Sequence, residues 1–549
     1  MYHQGKKSAG WKGGMIAAMF LAGCGGGGSD PLTQPATPPV TSPTTPPVTA
    51  TPTMTVQSGT LARVMASTAS INLVVTAQAA NFTPTGTVYA SASDPAGVLQ
   101  APVQVTAGAD GRYTFSLDTA TGVTPGRYQG NATVKLCSDV ACTTAQSVAS
   151  ITVPYDITIL SADSAWPGDN LTALSTLTGA GDWSTFQGNN AHTGYVPVEV
   201  QADKIGLRWK RGLVNNPSGS GATTLAPLVT ANGLLYTTDA SSLTAYKELD
   251  GTRAWKYDFG TTSYYAAGAP SVSNGVVYAV GSLTDGSYMF AFDAASGTVR
   301  FRARAASYYE RLSSSIVQDG VIYANGGSYN GMFGFSATGE TLFNTGSSIS
   351  SLWAPAADAN GVYLFSGDAL AVYKPKTGEK LATIRDSTSS NYNSQGSGAP
   401  VIGANGVYAT TSQYNSSTGA TSYSLTRFDV AKGFTDWRVT GNYTATPAYA
   451  GGVLYALNTN PFRVEARTEA AGALQWSWTP QSSSETSFYG SPVLTKNLLF
   501  VSTNRLTYAI DLVTHKTVWS VPVAGLLSIS QNGVLYIQGA DATVAVNLK

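Results

Sequence analysis

Eight copies of one short β-unit fill the C-terminal part of this chain. Each opens on an apolar run, often with a proline, and passes through an Asn-Gly or similar turn into a Val/Leu/Tyr strand. A variable loop leads to a second apolar strand, then usually a turn with Gly and an aromatic. The Gly-X-X-Tyr landmark or its equivalent falls at Tyr236, Tyr278, Tyr323, Tyr363, Tyr408, Tyr455, Phe500 and Tyr536, with neighbours 36 to 47 residues apart. One such unit cannot bury its own apolar face, so copies must stack, and a period of about 40–50 residues built from short strands predicts a β-propeller. The fold class expected is all-β, with an eight-bladed ring over residues 182–549. A ring of this kind is first a scaffold, and any chemistry has to be argued from a site.

Counting strands indicates how the ring shuts. The eighth copy runs through residues 533–536 and 544–547 and stops at Lys549 without a fourth strand or its aromatic. Residues 205–210, Ile-Gly-Leu-Arg-Trp-Lys, carry the missing pattern. Trp209 is therefore expected on the outer strand of the last blade, joining the two ends and removing an exposed strand edge.

Charge excludes some partners. Lys+Arg and Asp+Glu are both 31, so no global field attracts nucleic acid. Charged residues make up 11% of the chain, against an average of about 25%. Gly, Ser, Thr and Tyr take their place, a mix that suits strands joined by tight turns. Three cysteines and three histidines leave little material for thiol, imidazole or zinc chemistry.

Residues 1–23 read as an export signal: Lys6, Lys7 and Lys12, then the apolar run Met15 to Leu21, too short to stay as a membrane span. The tetrad Leu21-Ala22-Gly23-Cys24 resembles the lipobox of bacterial lipoproteins, in which the cysteine thiol takes a diacylglyceryl group and cleavage falls just before it. The alternative is an ordinary cleaved signal with a chance cysteine. Acyl chains at Cys24 would give durable anchoring, each buried methylene contributing about 0.8 kcal/mol. Gly25, rather than Asp, after the cysteine implies by the same resemblance the outer membrane, facing periplasm or cell surface. Residues 24–52 form a Gly/Pro/Thr-rich tether that cannot fold alone. If extended as polyproline, it would hold the folded part about 80 Å from the lipid.

Residues 53–160 alternate as a β-sandwich does. Ile71, Leu73, Val75 and Ala77 share one face, and residues 112–117 and 132–136 repeat the pattern between turns at Asp94-Pro95, Asp110-Gly111 and Pro125-Gly126. Several strands at this spacing suggest an immunoglobulin-like module. Cys137 and Cys142, five apart at a strand end in an exported chain, suggest a local disulfide; two thiolates without a nearby His make only half a zinc shell. Residues 161–181 read as a linker.

The ring opens with Asp182-Trp183-Ser184-Thr185-Phe186-Gln187-Gly188-Asn189-Asn190-Ala191-His192-Thr193-Gly194-Tyr195, which resembles the start of quinoprotein-like (PQQ-repeat) propellers. Residues 509–519 follow that family's Ala-X-Asp-X-X-Thr-Gly-X-X-X-Trp docking motif with His515 in the Gly place. The aromatic recurs at Trp209, Trp255, Phe301, Phe343, Trp437, Trp476 and Trp519, and only the fourth copy breaks the rule, with Ala382. The resemblance implies that these rings dock adjacent blades, each burying roughly 150–250 Å². It is similar within the family to non-catalytic lipoproteins of the BamB type, which help assemble β-barrel proteins through protein contacts. Catalytic members bind PQQ and calcium over the ring axis, many with an adjacent cysteine pair. Residues 182–549 contain no cysteine and no acidic cluster with calcium spacing, so neither cofactor, metal nor dehydrogenase activity is expected.

Loops from each outer strand to the next inner strand should gather on one face near the axis. In six blades they carry Tyr264 and Tyr265, Tyr308 and Tyr309, Trp353, Tyr392, Tyr443, and Phe488 with Tyr489. Tyrosine combines contact area with a hydroxyl and loses little entropy on binding. These aromatics form either a collar for a protein segment or a glycan, or a plug for the channel. The reading is a monomeric, lipid-anchored, non-enzymatic scaffold for a protein partner. The alternative is a carbohydrate-binding or carbohydrate-processing surface protein.

Overall fold

The computed structural model describes residues 50–100, 105–212, 226–239, 241–260, 268–283, 286–305, 314–326, 331–346, 353–365, 369–386, 398–415 and 417–549. Their ordered backbone is β-strand apart from short 3-10 turns such as Phe186–Gly188. Cys24 and most of the tether lie outside the described residues.

Period-2 alternation produces two sheets in the N-terminal part. One runs in the order Thr53–Val56, Asn72–Ala80, Arg112–Thr119, Leu99–Gln100; the other runs Leu61–Ala66, Ile151–Leu160, Gly126–Cys137, Tyr89–Ser93. Leu61–Ala66 pairs with Ile151–Leu160 in parallel. The sheets share one core, to which Leu73, Val75, Phe115 and Leu117 come from the first and Val134, Val153 and Ile157 from the second. Cys137 and Cys142 are joined by a disulfide, with Cα atoms 5.0 Å apart.

Among the described residues eight four-stranded antiparallel sheets follow, one per repeat. Blades 1 to 7 span residues 229–258, 271–305, 315–344, 356–385, 401–439, 443–478 and 493–521. Blade 8 takes its inner three strands from residues 526–547 and its outer strand from Gly206–Arg211, with Gly206 opposite Asn547 and Arg211 opposite Thr543. Both ends of the ring thus lie in one sheet, the closure read from the strand count. Trp209 is fully buried there, and its Nε1 donates to the Glu248 carbonyl of blade 1 (3.2 Å).

Residues 51–549 form one compact unit. The outer strand of blade 7, Thr517–Val521, is buried at every position, whereas the outer strands of blades 1 to 6 keep exposed ones. The cover is the sandwich. Ala66 N donates to Ser520 Oγ (3.0 Å), Gln481 Nε2 donates to the Ser70 carbonyl (2.9 Å), and Ala66 and Ala69 enter the core of blades 6 and 7. The stretch expected as a linker packs along blade 8. Leu177 N donates to the Gln531 carbonyl (2.8 Å), and the buried Arg208 guanidinium donates to the Thr172 carbonyl (2.9 Å) and Asn547 Oδ1 (3.0 Å).

Candidate functional site

Innermost strands of a propeller leave one edge of N–H and C=O groups facing the axis, and buried backbone groups need partners. Residues 183–194 supply them, visiting the blades in chain order. The carbonyls of Trp183 and Ser184 accept from Thr230 N of blade 1 (2.9 Å) and Val272 N of blade 2 (2.7 Å). Thr185 Oγ1 donates to the Ser315 carbonyl of blade 3 (3.1 Å). Asn190, Ala191, Thr193 and Gly194 carbonyls accept from Ala357, Ile402, Tyr449 and Leu494 N of blades 4 to 7 at 2.7–2.9 Å. One irregular segment thus laces seven blades at the end of the ring where first and second strands turn. His192 is fully buried within it. Its Nδ1 lies 2.9 Å from the Pro400 carbonyl, its ring meets Phe186 edge-on at 5.2 Å, and burial lowers its pKa to about 4. Such an imidazole is held neutral as a packing and hydrogen-bonding group.

Around the rim, the docking aromatics of blades 1, 2, 3 and 5 lie on the turn between the third and fourth strands of the next blade. A Cβ on Gly297 would sit 2.6 Å from Trp255, one on Gly339 2.5 Å from Phe301, one on Gly378 2.3 Å from Phe343 and one on Gly472 2.9 Å from Trp437. Only glycine leaves room for the ring there. The indoles of Trp255 and Trp437 donate to the Ala294 and Glu469 carbonyls, both at 3.0 Å. Trp476 instead stacks on His515, the residue in the glycine place, with centroids 4.4 Å apart. Trp519 is buried against blade 8. Where the fourth copy has Ala382, a Cβ on Gly433 of the next blade would meet nothing within 4 Å.

Buried carboxylates of blade 6 and of the loop that follows it act as acceptors. Glu465, fully buried, takes Tyr443 OH (2.6 Å) and Arg467 Nε (2.6 Å) on one oxygen and Arg463 Nε (2.7 Å) and Asn458 Nδ2 (3.2 Å) on the other. Burial pushes this carboxyl up, but those donors outweigh it and hold it below the ordinary range. Glu469 accepts from Tyr408 OH (2.8 Å), Tyr449 OH (2.9 Å) and Asn405 N (2.8 Å), with the same net direction. Glu485 accepts from Thr503 and Tyr508 hydroxyls at 2.6 and 2.7 Å. Among the described residues no three His, Cys, Asp or Glu side chains converge as a metal site. Sequence reasoning missed the lacing role and these clamps. The one local signal was Arg463 and Arg467 flanking Glu465 at alternate positions of a strand.

Of the collar aromatics, Tyr264, Tyr265, Tyr308, Tyr309 and Tyr392 lie outside the described residues. The others turn partly or wholly inward. Tyr443 is a correction: it is fully buried between blades, because its hydroxyl is taken by Glu465, and it offers no surface to a ligand. Trp353 packs at 6.3 Å on Phe186 of the lacing segment. Phe488 pairs with Phe462 at 4.4 Å, and Tyr489 is half-buried, its hydroxyl raised by burial.

Residues 239–477 match a protein family described as outer membrane protein assembly factor BamB. No curated protein sequence matches the chain. Among solved structures, BamB from Moraxella catarrhalis aligns at 16% identity and a TM-score of 0.48, covering 62% of this chain and 99% of its own. The quinohemoprotein alcohol dehydrogenase from Comamonas testosteroni aligns at 14% and 0.49, covering 66% and 80%. One from Pseudomonas putida HK5 aligns at 14% and 0.46, covering 67% and 80%.

Proposed function

We propose that this chain, a PQQ-repeat, BamB-like β-propeller over its matched residues 239–477, is a non-catalytic, lipid-anchored envelope protein whose ring serves as a protein-binding scaffold. The observation that carries the reading is the match to a family named for outer-membrane assembly, on a ring closed by its own N-terminal strand. Glu465 binds strands of blade 6 to one another, Glu469 ties blade 6 to blade 5 and His192 sits in the lacing segment, so each already has a structural task. Anchoring rests on Cys24, with the tether and an immunoglobulin-like module at 53–160 carrying the ring away from an outer membrane. The order of the two sheets supports that module, as does Tyr128, whose hydroxyl donates back to the Thr124 carbonyl (2.8 Å) in the manner of a tyrosine corner.

The partner face is assigned to the loops that carry Tyr265, Tyr309 and Tyr392. Crosslinking in intact envelopes tests it. The triple variant to Ala should lose its crosslinked protein clients while its melting temperature stays unchanged. A large fall in melting temperature would make these rings a channel plug, and capture of glycan alone would favour the carbohydrate-binding alternative. Cys24→Ser should release the protein from the membrane fraction; a variant still fractionating with lipid would overturn the anchor.

A further inference from the structure

Six joints of the ring repeat one aromatic pair. The second-strand tyrosine of a blade, such as Tyr236, Tyr408 or Tyr536, meets the ring on that blade's outer strand with centroids 5.8–6.4 Å apart. In five of them that outer ring also covers the glycine of the next blade's turn. Blade 4 breaks the series. Ala382 stands opposite Val372, where Trp255 stands opposite Ala245 and Trp437 opposite Arg427. Tyr363 of blade 4 meets no other ring among the described residues. The hydroxyls of Tyr236 and Tyr408 reach across the joint to the Ala294 carbonyl and to Glu469, whereas that of Tyr363 turns back to Asp358 of its own blade (3.4 Å).

The slot left by the missing ring faces solvent. Gly433, the matching glycine of blade 5, is exposed and a Cβ there would meet nothing within 4 Å, whereas Gly251, Gly297, Gly339, Gly378 and Gly472 are all shielded. Beside Ala382 and Gly433, the side chains of Leu381 and Phe434 are 52% and 46% exposed. At other joints the indoles of Trp209, Trp255 and Trp437 donate, at 3.0–3.2 Å, to the carbonyl of the first residue past the next blade's third strand. Val430 holds that position in blade 5, and no described group donates to its carbonyl. The Val430 side chain packs into the core of the joint, which leaves the outer space above Ala382 and Gly433. Further along the same two strands the blades are tied directly: Thr435 Oγ1 donates to the Arg385 carbonyl (3.1 Å), and Arg438 pairs with Asp386. Residues 369–386 and 417–439, which surround the slot, are all described.

We propose that the joint between blades 4 and 5 takes a tryptophan side chain of a protein partner, its ring over Ala382 and Gly433 and its indole N–H on the Val430 carbonyl. The molecule itself sets the occupant, because the slot continues a series of interfaces that hold an aromatic at the other joints, and a tryptophan wherever the turn carbonyl takes a bond from the ring. A large flat ring with one polar N–H gains most from a slot that is apolar with a single acceptor. Partner tryptophans that fill preformed pockets carry a large share of binding energy at interfaces, and walls already held by the fold lose little freedom on binding. The proposal rests on the protein-scaffold reading but on none of the collar aromatics.

The test uses the full chain and the peptide acetyl-Gly-Ser-Trp-Ser-Gly-amide carrying 5-fluorotryptophan, followed by fluorine NMR. The fluorine signal should shift saturably, and the Ala382 methyl signal should move upfield under the ring. Analogues with leucine or 1-methyltryptophan in the central place, read by competition, should each bind about tenfold more weakly. Ala382→Trp gives the slot a ring of the chain's own, so binding should fall about tenfold or more while the melting temperature rises. Ala382→Ser, too small to fill the slot, should bind as the wild type does. No saturable shift, an unmoved Ala382 methyl, equal affinity of either analogue or full binding in Ala382→Trp would overturn the proposal. A wild-type chain that dimerises in sedimentation and becomes monomeric on Ala382→Trp would overturn it in favour of a second copy. The collar triple variant should bind the peptide normally, so failure of the collar and failure of this slot read out separately.

Discussion

At the scale of single residues, the rim contacts isolate packing from backbone strain. Gly297 and Gly433 have nearly the same backbone, φ +73° and +74°, but only Gly297 lies under a ring. Gly433→Ala should cost about 1 kcal/mol for the left-handed conformation alone. Gly297→Ala should cost roughly 1–3 kcal/mol more, because Trp255 has to move. Denaturant midpoints of the two variants check this, and equal losses would mean that the ring contact contributes nothing. His192 gives the pH dependence. Its folded pKa, about 4, lies below the ordinary 6.5, so its contribution is fully present above pH 6.5 and falls away as pH drops toward 4. The stake is on the order of 3 kcal/mol. In His192→Asn the denaturation midpoint should vary less between pH 6.5 and 4 than in the wild type.

Among elements, the lacing segment and the closing strand stabilise the ring differently. The lacing satisfies inner edges at one backbone group per blade, each bond contributing about 1 kcal/mol net. Replacing residues 183–198 with a Gly/Ser spacer should therefore cost several kcal/mol and lower the melting temperature while the ring stays closed. A chain beginning at residue 212 loses Trp209 and the fourth strand of blade 8. It should expose the Thr543–Asn547 edge and aggregate, which size exclusion detects; a folded monomer would contradict closure by this strand. The strand pattern, the closing strand and the docking rings were legible in the sequence because period and aromatic spacing are local properties. The lacing was not, since residues 182–195 have neither helical nor strand periodicity and each finds its partner far along the chain.

Across the whole molecule, the sandwich sits on the outer edge of blade 7 and the docked 161–181 stretch fixes it to blade 8. Ala66 lies inside that junction at 1% exposure. Ala66→Asp should undock the sandwich without unfolding either part, raising the radius of gyration in small-angle scattering and opening residues 161–181 to protease. An unchanged scattering curve would mean that the interface does not depend on this contact. The sandwich also covers the outer edge of blade 7.

Blade number, the closing strand and the aromatics that join neighbours can be read from the chain, because they follow from short-range periodicity and side-chain size. Long-range packing, by contrast, turns Tyr443 onto a buried glutamate and away from a ligand. It alone put His192 in the lacing and covered blade 7 with the sandwich. Those outcomes depend on which surfaces meet when distant segments pack, and the energy of burying a polar group is set by partners that local sequence does not contain.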